Sequence, residues 1–84
     1  MIYEIEFKPR AIKDLRHIAG PQSTRIADAT AALANGLRGD VKHLTNHTPE
    51  YRLRVGDYRV LFELEPGNRV VVYRILHRRE AYRT

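Results

Sequence analysis

The pattern of apolar and polar residues has a period of two at both ends of the chain, which is typical of β-strands. At the N-terminus, residues 2–7 alternate in this way. Towards the C-terminus the alternation returns in three segments, separated by turn-forming residues at 56–57 and 65–68. Four strands are therefore predicted, at residues 2–7, 51–55, 58–64 and 69–76.

Apolar residues follow a helical spacing between the first strand and residue 37. Pro9 stands where a helix can begin, Gly20 ends the first helix, and Pro21 suits the first position of a second one. Asn35 and Gly36 then break the pattern. The short connection between the two segments predicts an antiparallel helical hairpin.

Residues 38–50 are polar and include Gly39 and Pro49, so we predict a loop there. The elements together predict an α+β fold in a single domain spanning residues 1–84. We expect the N-terminal strand and the C-terminal three-stranded meander to form an antiparallel sheet, with the helical hairpin packed on one face. The side chains predicted to point inward are Tyr3, Ile5, Phe7, Tyr51, Leu53, Val55, Tyr58, Val60, Phe62, Leu64, Val71, Tyr73 and Ile75.

The two-residue turn at 56–57 sets the register of the first hairpin, since it pairs Val55 with Tyr58. Arg54 and Arg59 are then direct cross-strand neighbours on the face away from the helices. Like charges in this position destabilise a sheet. A surface that keeps them together points to a polyanionic ligand.

The register of the second hairpin is less constrained. Pairing Leu64 with Arg69 places Arg74 opposite Arg59, which makes a row of three arginines. A shift of two residues would place Leu76 opposite Arg59 instead. Exposure to solvent or pairing with acids is the simpler explanation for one arginine, but for the whole set we favour a nucleic-acid backbone.

Composition strengthens the case for an anionic partner. The chain has 84 residues with 15 Lys and Arg against 10 Asp and Glu, a net charge of +5 and a pI near 10.0. Residues 51–84 contribute eight arginines and no lysine. The arginine fork suits phosphate, and a basic pI with clustered arginine is typical of nucleic-acid-binding domains.

Other classes of protein are disfavoured by what the sequence lacks. The absence of cysteine excludes a disulfide scaffold, thiol catalysis and a Cys-based zinc site. No apolar run approaches the roughly 20 residues that would span a membrane. The N-terminus carries glutamates and no apolar signal-peptide stretch, so we expect a cytoplasmic protein without a membrane partner.

The segment after the last strand adds reactive side chains. Histidine transfers protons near neutral pH, so His77 is a candidate acid or base, although a strand-end histidine bonded to backbone is the simpler explanation. Arg78 could stabilise charge in phosphoryl transfer, and Tyr82 could stack on a base or cap the sheet edge. His43 and His47 lack neighbouring ligands, so we expect neither a metal site nor a cofactor.

Two segments of the C-terminal half resemble the RelE toxins of bacterial and archaeal toxin–antitoxin pairs. They are YRLRVGDYRVLFEL at 51–64 and VVVYRILHRREAYR at 70–83. The N-terminal half also fits, with KPRAIKDL at 8–15 and a Lys-x-Leu segment at 42–44. The resemblance covers essentially the whole chain, and the tail favours the RelE branch of the RelE/ParE superfamily.

The resemblance implies an mRNA endonuclease that cuts the codon in the ribosomal A site without a metal ion. The ribose 2′-hydroxyl attacks the adjacent phosphate and leaves a 2′,3′-cyclic phosphate and a 5′-hydroxyl. By position, Arg52 and Arg54 would bind the backbone and help to activate the hydroxyl. Arg59 would stabilise charge on the phosphate, Arg78 would assist the leaving oxygen, and Tyr82 would orient the codon. Further residues expected to bind the RNA backbone are Lys42, Arg74 and Arg79.

The identity of the general base is left open by one departure from the family pattern. The best-known members have lysine at the two positions on the first meander strand where this chain has arginine, which is a poor proton acceptor. The candidates are His77, an ionised Tyr82, an acid near the loop such as Asp40 or Glu50, and a ribosomal group.

Membership of this family also implies partners. A type II toxin represses translation under stress and is silenced by a cognate antitoxin, which would cover the basic face or the sheet edge. The toxin–antitoxin hetero-oligomer could bind operator DNA through the antitoxin.

Two alternative functions stay open, a ParE-like inhibitor of DNA gyrase and an inactive relative that binds RNA or ribosomes. The full set of basic residues with Tyr82 argues against the gyrase inhibitor.

Overall fold

A computed structural model describes residues 1–81 and confirms the α+β fold class. A strand and two helices precede four consecutive strands. A short 3-10 turn over Ala32–Ala34 follows the second helix. The elements are β1 (Glu4–Phe7), α1 (Pro9–Arg16), α2 (Gly20–Ala31), β2 (Asp40–His43), β3 (Tyr51–Val55), β4 (Tyr58–Glu65) and β5 (Arg69–His77).

The five strands form one sheet in the order β1-β5-β4-β3-β2. Neighbouring strands are antiparallel except β1 and β5, which are parallel. The prediction that β1 joins an antiparallel sheet is therefore wrong, and the sheet is mixed. Alternation of apolar residues reports which face is buried and carries no information on strand direction. β1 can run parallel to β5 because the chain between them is long enough to return through the helices and β2–β4.

The predicted loop over 38–50 is wrong at Asp40–His43, which form the edge strand β2. Val41 is the single apolar residue of this strand, and it lies opposite Leu53 in the helix-covered core. Short, polar edge strands are common because one side pairs and the other faces water. Gly39 precedes β2 with φ +129°, and a Cβ there would lie 2.8 Å from the Leu53 side chain.

The core lies between the two helices and one face of the sheet. Phe62 at its centre is fully buried, and the predicted inward residues of β1, β3 and β4 all pack in or against this cluster. Burial of this apolar surface stabilises the fold by about 25 cal/mol per Å². The fully buried aliphatic side chains around Phe62 are Ile26, Leu33, Leu53, Val60, Val70 and Val72.

Two of the three inward residues predicted on β5 are wrong. A β-bulge interrupts the pairing of β4 with β5, since Leu61 pairs with Arg74 while Phe62 pairs with Val72. Tyr73 is the extra residue, and an extra residue reverses the faces on one side of it. Val70 and Val72 therefore face the helices in place of Val71 and Tyr73, whereas Ile75 faces them as predicted.

The register of the first hairpin is confirmed, with Arg54 opposite Arg59 and Val55 opposite Tyr58. In the second hairpin, Leu76 lies opposite Arg59, so the three-arginine row is wrong and the shifted alternative is right. The shift of two residues has two sources. The turn pairs Glu65 rather than Leu64 with Arg69, and the bulge adds the second residue.

None of the helices in the described part of the chain is long and apolar enough to cross a membrane.

Candidate nucleic-acid interface

The sheet face opposite the helices carries neighbouring cationic side chains from three strands. Across the sheet, Asp40 pairs with Arg54, which pairs with Arg59, which pairs with Leu76. Paired residues point to the same face with Cβ atoms about 5 Å apart. In the next row, Lys42 lies opposite Arg52. We call the surface formed by Lys42, Arg52, Arg54 and Arg59 the cationic face.

Arg54 and Arg59 differ in what their guanidinium groups contact. Arg59 Nη1 donates to the backbone oxygens of Gly56 at 3.0 Å and Tyr58 at 2.9 Å, which holds its guanidinium over the turn. Arg54 is exposed, and no hydrogen bond or ion pair within residues 1–81 engages its side chain. Arg59 is therefore anchored to the turn, whereas the Arg54 guanidinium is available to an anionic ligand.

Arg52 is held in place by β2. Its Nη1 donates to the Asp40 backbone oxygen at 2.6 Å and to Asp40 Oδ1 at 3.1 Å. The Arg52 side chain is only 14% exposed, whereas that of Asp40 is 57% exposed. Since sequence analysis assigned residues 38–50 to a loop, it did not predict this contact across the β2–β3 pair.

Arg74 does not join the cationic face. Its Nε and Nη2 donate to the two carboxylate oxygens of Asp14 on α1, at 2.7 Å and 3.1 Å. The hydrogen bond to Asp14 raises the pKa of Arg74 above its ordinary value. The expected role of Arg74 as an RNA contact gains no support from this geometry, because its charge is already neutralised.

The tail begins beside the turn of the first hairpin. The Arg78 N–H donates to the Asp57 backbone oxygen at 2.7 Å, and Arg78 Nε lies 3.9 Å from Asp57 Oδ1. Both side chains are more than 60% exposed. Arg78 thus extends β5 by one residue at the end nearest Arg59. Arg79 is exposed one position further on, and Tyr82 lies outside the described residues.

His77 lies on the opposite side of the sheet from the cationic face. It pairs with Tyr58, and the two rings meet edge to face with their centres 5.6 Å apart. Its Nδ1 accepts the Arg79 N–H at 3.2 Å. Neighbouring residues of a strand point to opposite faces, so His77 is separated by the sheet from Arg59. The structure does not bring this candidate acid or base to the arginines.

Farther along β4, the open face carries the acids Glu63 and Glu65. Glu63 Oε2 accepts the Glu50 N–H at 2.9 Å. Burial raises the pKa of Glu63, and repulsion from Glu50 and Glu65 acts in the same direction. An open cleft of about 720 Å³ adjoins these acids. The sequence pattern did not predict this cleft, because it placed Tyr73 on the helix side of the sheet. Its lining residues are Lys8, Pro9, Arg10, Thr48, Pro49, Glu63, Glu65, Tyr73 and Arg74.

The two histidines of the predicted loop have local contacts. His43 Nε2 lies 3.9 Å from Glu50 Oε1, and the His43 ring packs edge to face on Tyr51. His47 Nδ1 lies 2.8 Å from the Pro49 backbone oxygen. Within residues 1–81, no three His, Cys, Asp or Glu side chains are grouped as metal ligands.

Known proteins with similar sequences and folds place the chain in a class. Residues 5–82 match a family described as the ParE toxin of the type II toxin-antitoxin system parDE. Toxin RelE3 of Methanocaldococcus jannaschii is 31% identical over 94% of both chains. The RelB-RelE antitoxin-toxin complex from Methanococcus jannaschii matches with a TM-score of 0.74 and 31% identity, covering 92% of this chain and 94% of that one.

A further solved structure, the archaeal RelE-RelB complex from Pyrococcus horikoshii OT3, shares the fold. Its TM-score is 0.75 at 22% identity, over 96% of this chain and all of that one. The fold and the matches define a type II toxin–antitoxin toxin. The chain belongs to the RelE/ParE superfamily, as a RelE-type toxin. This confirms the resemblance found in the sequence.

Proposed function

We propose that this RelE-type toxin is a ribosome-dependent endonuclease that cuts the mRNA codon in the A site by metal-free attack of a ribose 2′-hydroxyl. The observation that carries the proposal is the direct pairing of Arg54 with Arg59 on the open face. Two arginines directly opposite each other destabilise an isolated sheet, and their guanidinium groups are suited to binding phosphate.

The cationic face supplies positioning and electrostatic stabilisation. Arg54 has no internal partner within residues 1–81, so it can take a backbone phosphate without breaking an existing contact. Arg59 stands beside it and would stabilise the negative charge that grows on the phosphate oxygens during attack. Losing one such preorganised donor typically lowers the rate by roughly 10²–10³-fold.

The remaining roles follow from the family resemblance. Arg78 extends β5 beyond Arg59, and its exposed guanidinium would stabilise the leaving 5′-oxygen. Tyr82 would stack on the codon. A net charge of +5 favours docking among the phosphates of ribosomal RNA, where the A site presents the codon in a cleavable geometry.

An antitoxin is the proposed physiological partner. Two of the similar solved structures are complexes of RelE with RelB. We propose a cognate antitoxin that covers the cationic face with acidic side chains and so competes with RNA. A hetero-oligomer of the two chains would bind operator DNA through the antitoxin.

The direct test is cleavage on the ribosome. Purified protein is mixed with 70S ribosomes holding a defined codon in the A site, and cuts are mapped by primer extension. We expect cleavage inside that codon, none without ribosomes, and a loss of at least about 100-fold in Arg59→Ala. Arg16→Ala, which removes an exposed arginine from α1, is the charge-matched control and should cut normally.

A second arm tests the chemistry. Replacing the 2′-hydroxyl at the cleaved nucleotide with 2′-O-methyl removes the proposed nucleophile and should abolish cleavage. Cleavage of the methylated codon would show that water or another nucleophile attacks, and would refute the 2′-hydroxyl mechanism. The product of the unmodified codon should carry a 2′,3′-cyclic phosphate.

The description of the matching family as ParE supports one competing function, inhibition of DNA gyrase. If no codon is cut and the protein blocks gyrase supercoiling, that function replaces the endonuclease. If no codon is cut but ribosomes are bound, the chain is an inactive relative that binds without catalysis.

A further inference from the structure

Asp40 lies at one end of the row that contains the paired arginines. It is the β2 residue directly opposite Arg54, and its carboxylate accepts a hydrogen bond from Arg52 at 3.1 Å. More than half of its side chain is exposed. It is thus a carboxylate in contact with the cationic face and open to a ligand. We propose that Asp40 is the catalytic residue that accepts the proton of the ribose 2′-hydroxyl, an inference that rests on the proposed endonuclease function.

Chemistry leaves few acceptors on this face. Arginine does not lose its proton in proteins, so Arg52, Arg54 and Arg59 cannot act as bases. His77 is on the other side of the sheet, against Tyr58. Asp40 is the carboxylate that the described structure brings into contact with these arginines.

The in-line geometry of phosphoryl transfer favours Asp40 over Asp57. The attacking and leaving oxygens lie on opposite sides of the phosphorus. A phosphate over Arg54 and Arg59 would have β2 on one side and the end of β5 on the other. Asp57 lies beside Arg78, on the side proposed for the leaving oxygen. Asp40 stands on the opposite side, where the nucleophile must be.

The local backbone holds Asp40 in this place. Arg52 Nη1 binds both the backbone oxygen and Oδ1 of Asp40, which orients the carboxylate and restricts its rotation. Gly39 provides the positive φ with which the chain enters β2. Neither contact needs to break for the second carboxylate oxygen to reach a hydroxyl above the sheet.

The proposed step balances without a co-reactant. The 2′-hydroxyl proton moves to an Asp40 oxygen as the O2′–P bond forms. The P–O5′ bond breaks, and its electron pair goes to the 5′-oxygen, which takes a proton from water. Asp40 then returns its proton to water, so that one proton is removed and one is added.

Asp40→Asn is the informative variant, because the amide oxygen can still accept from Arg52 but cannot take up a proton. We measure its single-turnover cleavage rate on A-site ribosomes, and its affinity for the same ribosomes carrying a 2′-O-methyl codon. We expect the rate to fall at least about 100-fold, within the usual range for general bases. Affinity should be unchanged or tighter, since the variant removes a negative charge from a surface that binds phosphate.

Two controls accompany this variant. Asp28→Asn makes the same change of charge on an exposed residue of α2, on the helix side, and should cleave at the wild-type rate. Asp40→Glu keeps a carboxylate and should recover part of the activity lost in Asp40→Asn. Circular dichroism of each variant confirms that it is folded.

Several outcomes would overturn the inference. If wild-type protein and Asp40→Asn cleave equally, Asp40 is not the base, although the endonuclease function stands. If Lys42→Gln abolishes cleavage and Asp40→Asn does not, the proton acceptor is the lysine opposite Arg52. If affinity falls as much as rate in Asp40→Asn, the residue only positions Arg52. If wild-type protein does not cut, the proposed function fails and the inference fails with it.

Discussion

Asp14 on α1 holds Arg74 on β5 through both of its carboxylate oxygens, at 2.7 Å and 3.1 Å. The Oδ2 atom also accepts the Ile75 N–H at 2.9 Å. One carboxylate thus neutralises an arginine and satisfies a backbone donor of β5. It joins the first helix to the final strand, just after the bulge at Tyr73, and it pairs the charge of Arg74.

We predict that Asp14→Ala lowers the free energy of unfolding by about 1–3 kcal/mol, because it leaves a partly buried guanidinium and a strand N–H without partners. Urea unfolding monitored by circular dichroism measures the change. Asp28→Ala, on the exposed side of α2, is the control and should shift stability by less than about 0.5 kcal/mol. An equally small change for Asp14→Ala would show that the anchor does not stabilise the fold.

Arg54→Gln should separate stability from function. Removing one of two arginines that are directly opposite should raise the free energy of unfolding by about 0.2–1 kcal/mol. The same variant should bind ribosomes more weakly, with the slope of log affinity against log salt concentration reduced by about 0.7 for one lost phosphate contact. Arg16→Gln should change neither quantity. Unchanged salt dependence in Arg54→Gln would contradict a phosphate contact at this residue.

Glu63 predicts a dependence of stability on pH. Because its pKa is raised in the folded protein, chiefly by burial, the folded state holds this proton more tightly than the unfolded chain. The ionised Glu63 therefore lowers the free energy of unfolding. This effect is full at pH values above the raised pKa and disappears below the ordinary value of 4.5. The charged groups around it are Glu50, Glu65 and His43.

Glu63→Gln removes this titration and should therefore be more stable than the wild type at pH 7.5. The difference should shrink as the pH falls towards 4.5, and urea midpoints at several pH values measure it. Glu4→Gln, at an exposed position of β1, should show no such convergence. A difference that grows as the pH falls would reverse the sign and refute the raised pKa.

Gly39→Ala should disturb the entry into β2. The φ of +129° and a clash of the new Cβ at 2.8 Å from Leu53 Cδ1 both oppose alanine. We expect a loss of more than about 1 kcal/mol in the free energy of unfolding. The control is Gly20→Ala at the start of α2, where nothing lies within 4 Å, and it should stabilise by about 0.4–1 kcal/mol.

The cleavage rate of the Gly39→Ala variant also tests the proposed role of Asp40. If the position of Asp40 matters for proton transfer, the folded variant should also cleave more slowly on ribosomes than its remaining stability would explain. Full activity in folded Gly39→Ala would show that the entry geometry of β2 is not needed.

Features that depend on neighbours in the sequence were predictable. The turn at 56–57 fixes which residues of β3 and β4 lie opposite each other. The pairing of Arg54 with Arg59 could therefore be predicted from the two turn residues and the alternation along each strand. Helical spacing likewise identified both helices, and alternation identified the buried face of β1, β3 and β4. Each of these patterns depends only on residues within one element or one short turn.

The pattern of apolar and polar residues did not determine the contacts between segments that are distant in the sequence. About sixty residues separate Asp14 from Arg74, and the bulge that shifts the pairing of β5 with β4 adds one residue with no signature in the alternation. Asp40 reaches the end of the arginine row because β3 offers hydrogen bonds to a polar segment that has no alternation of its own. The pairing of Arg54 with Arg59 was thus determined by local sequence. The position of Asp40, the proposed base, and the pairing of Arg74 with Asp14 were determined by tertiary packing, since contacts across a fold depend on how whole elements meet.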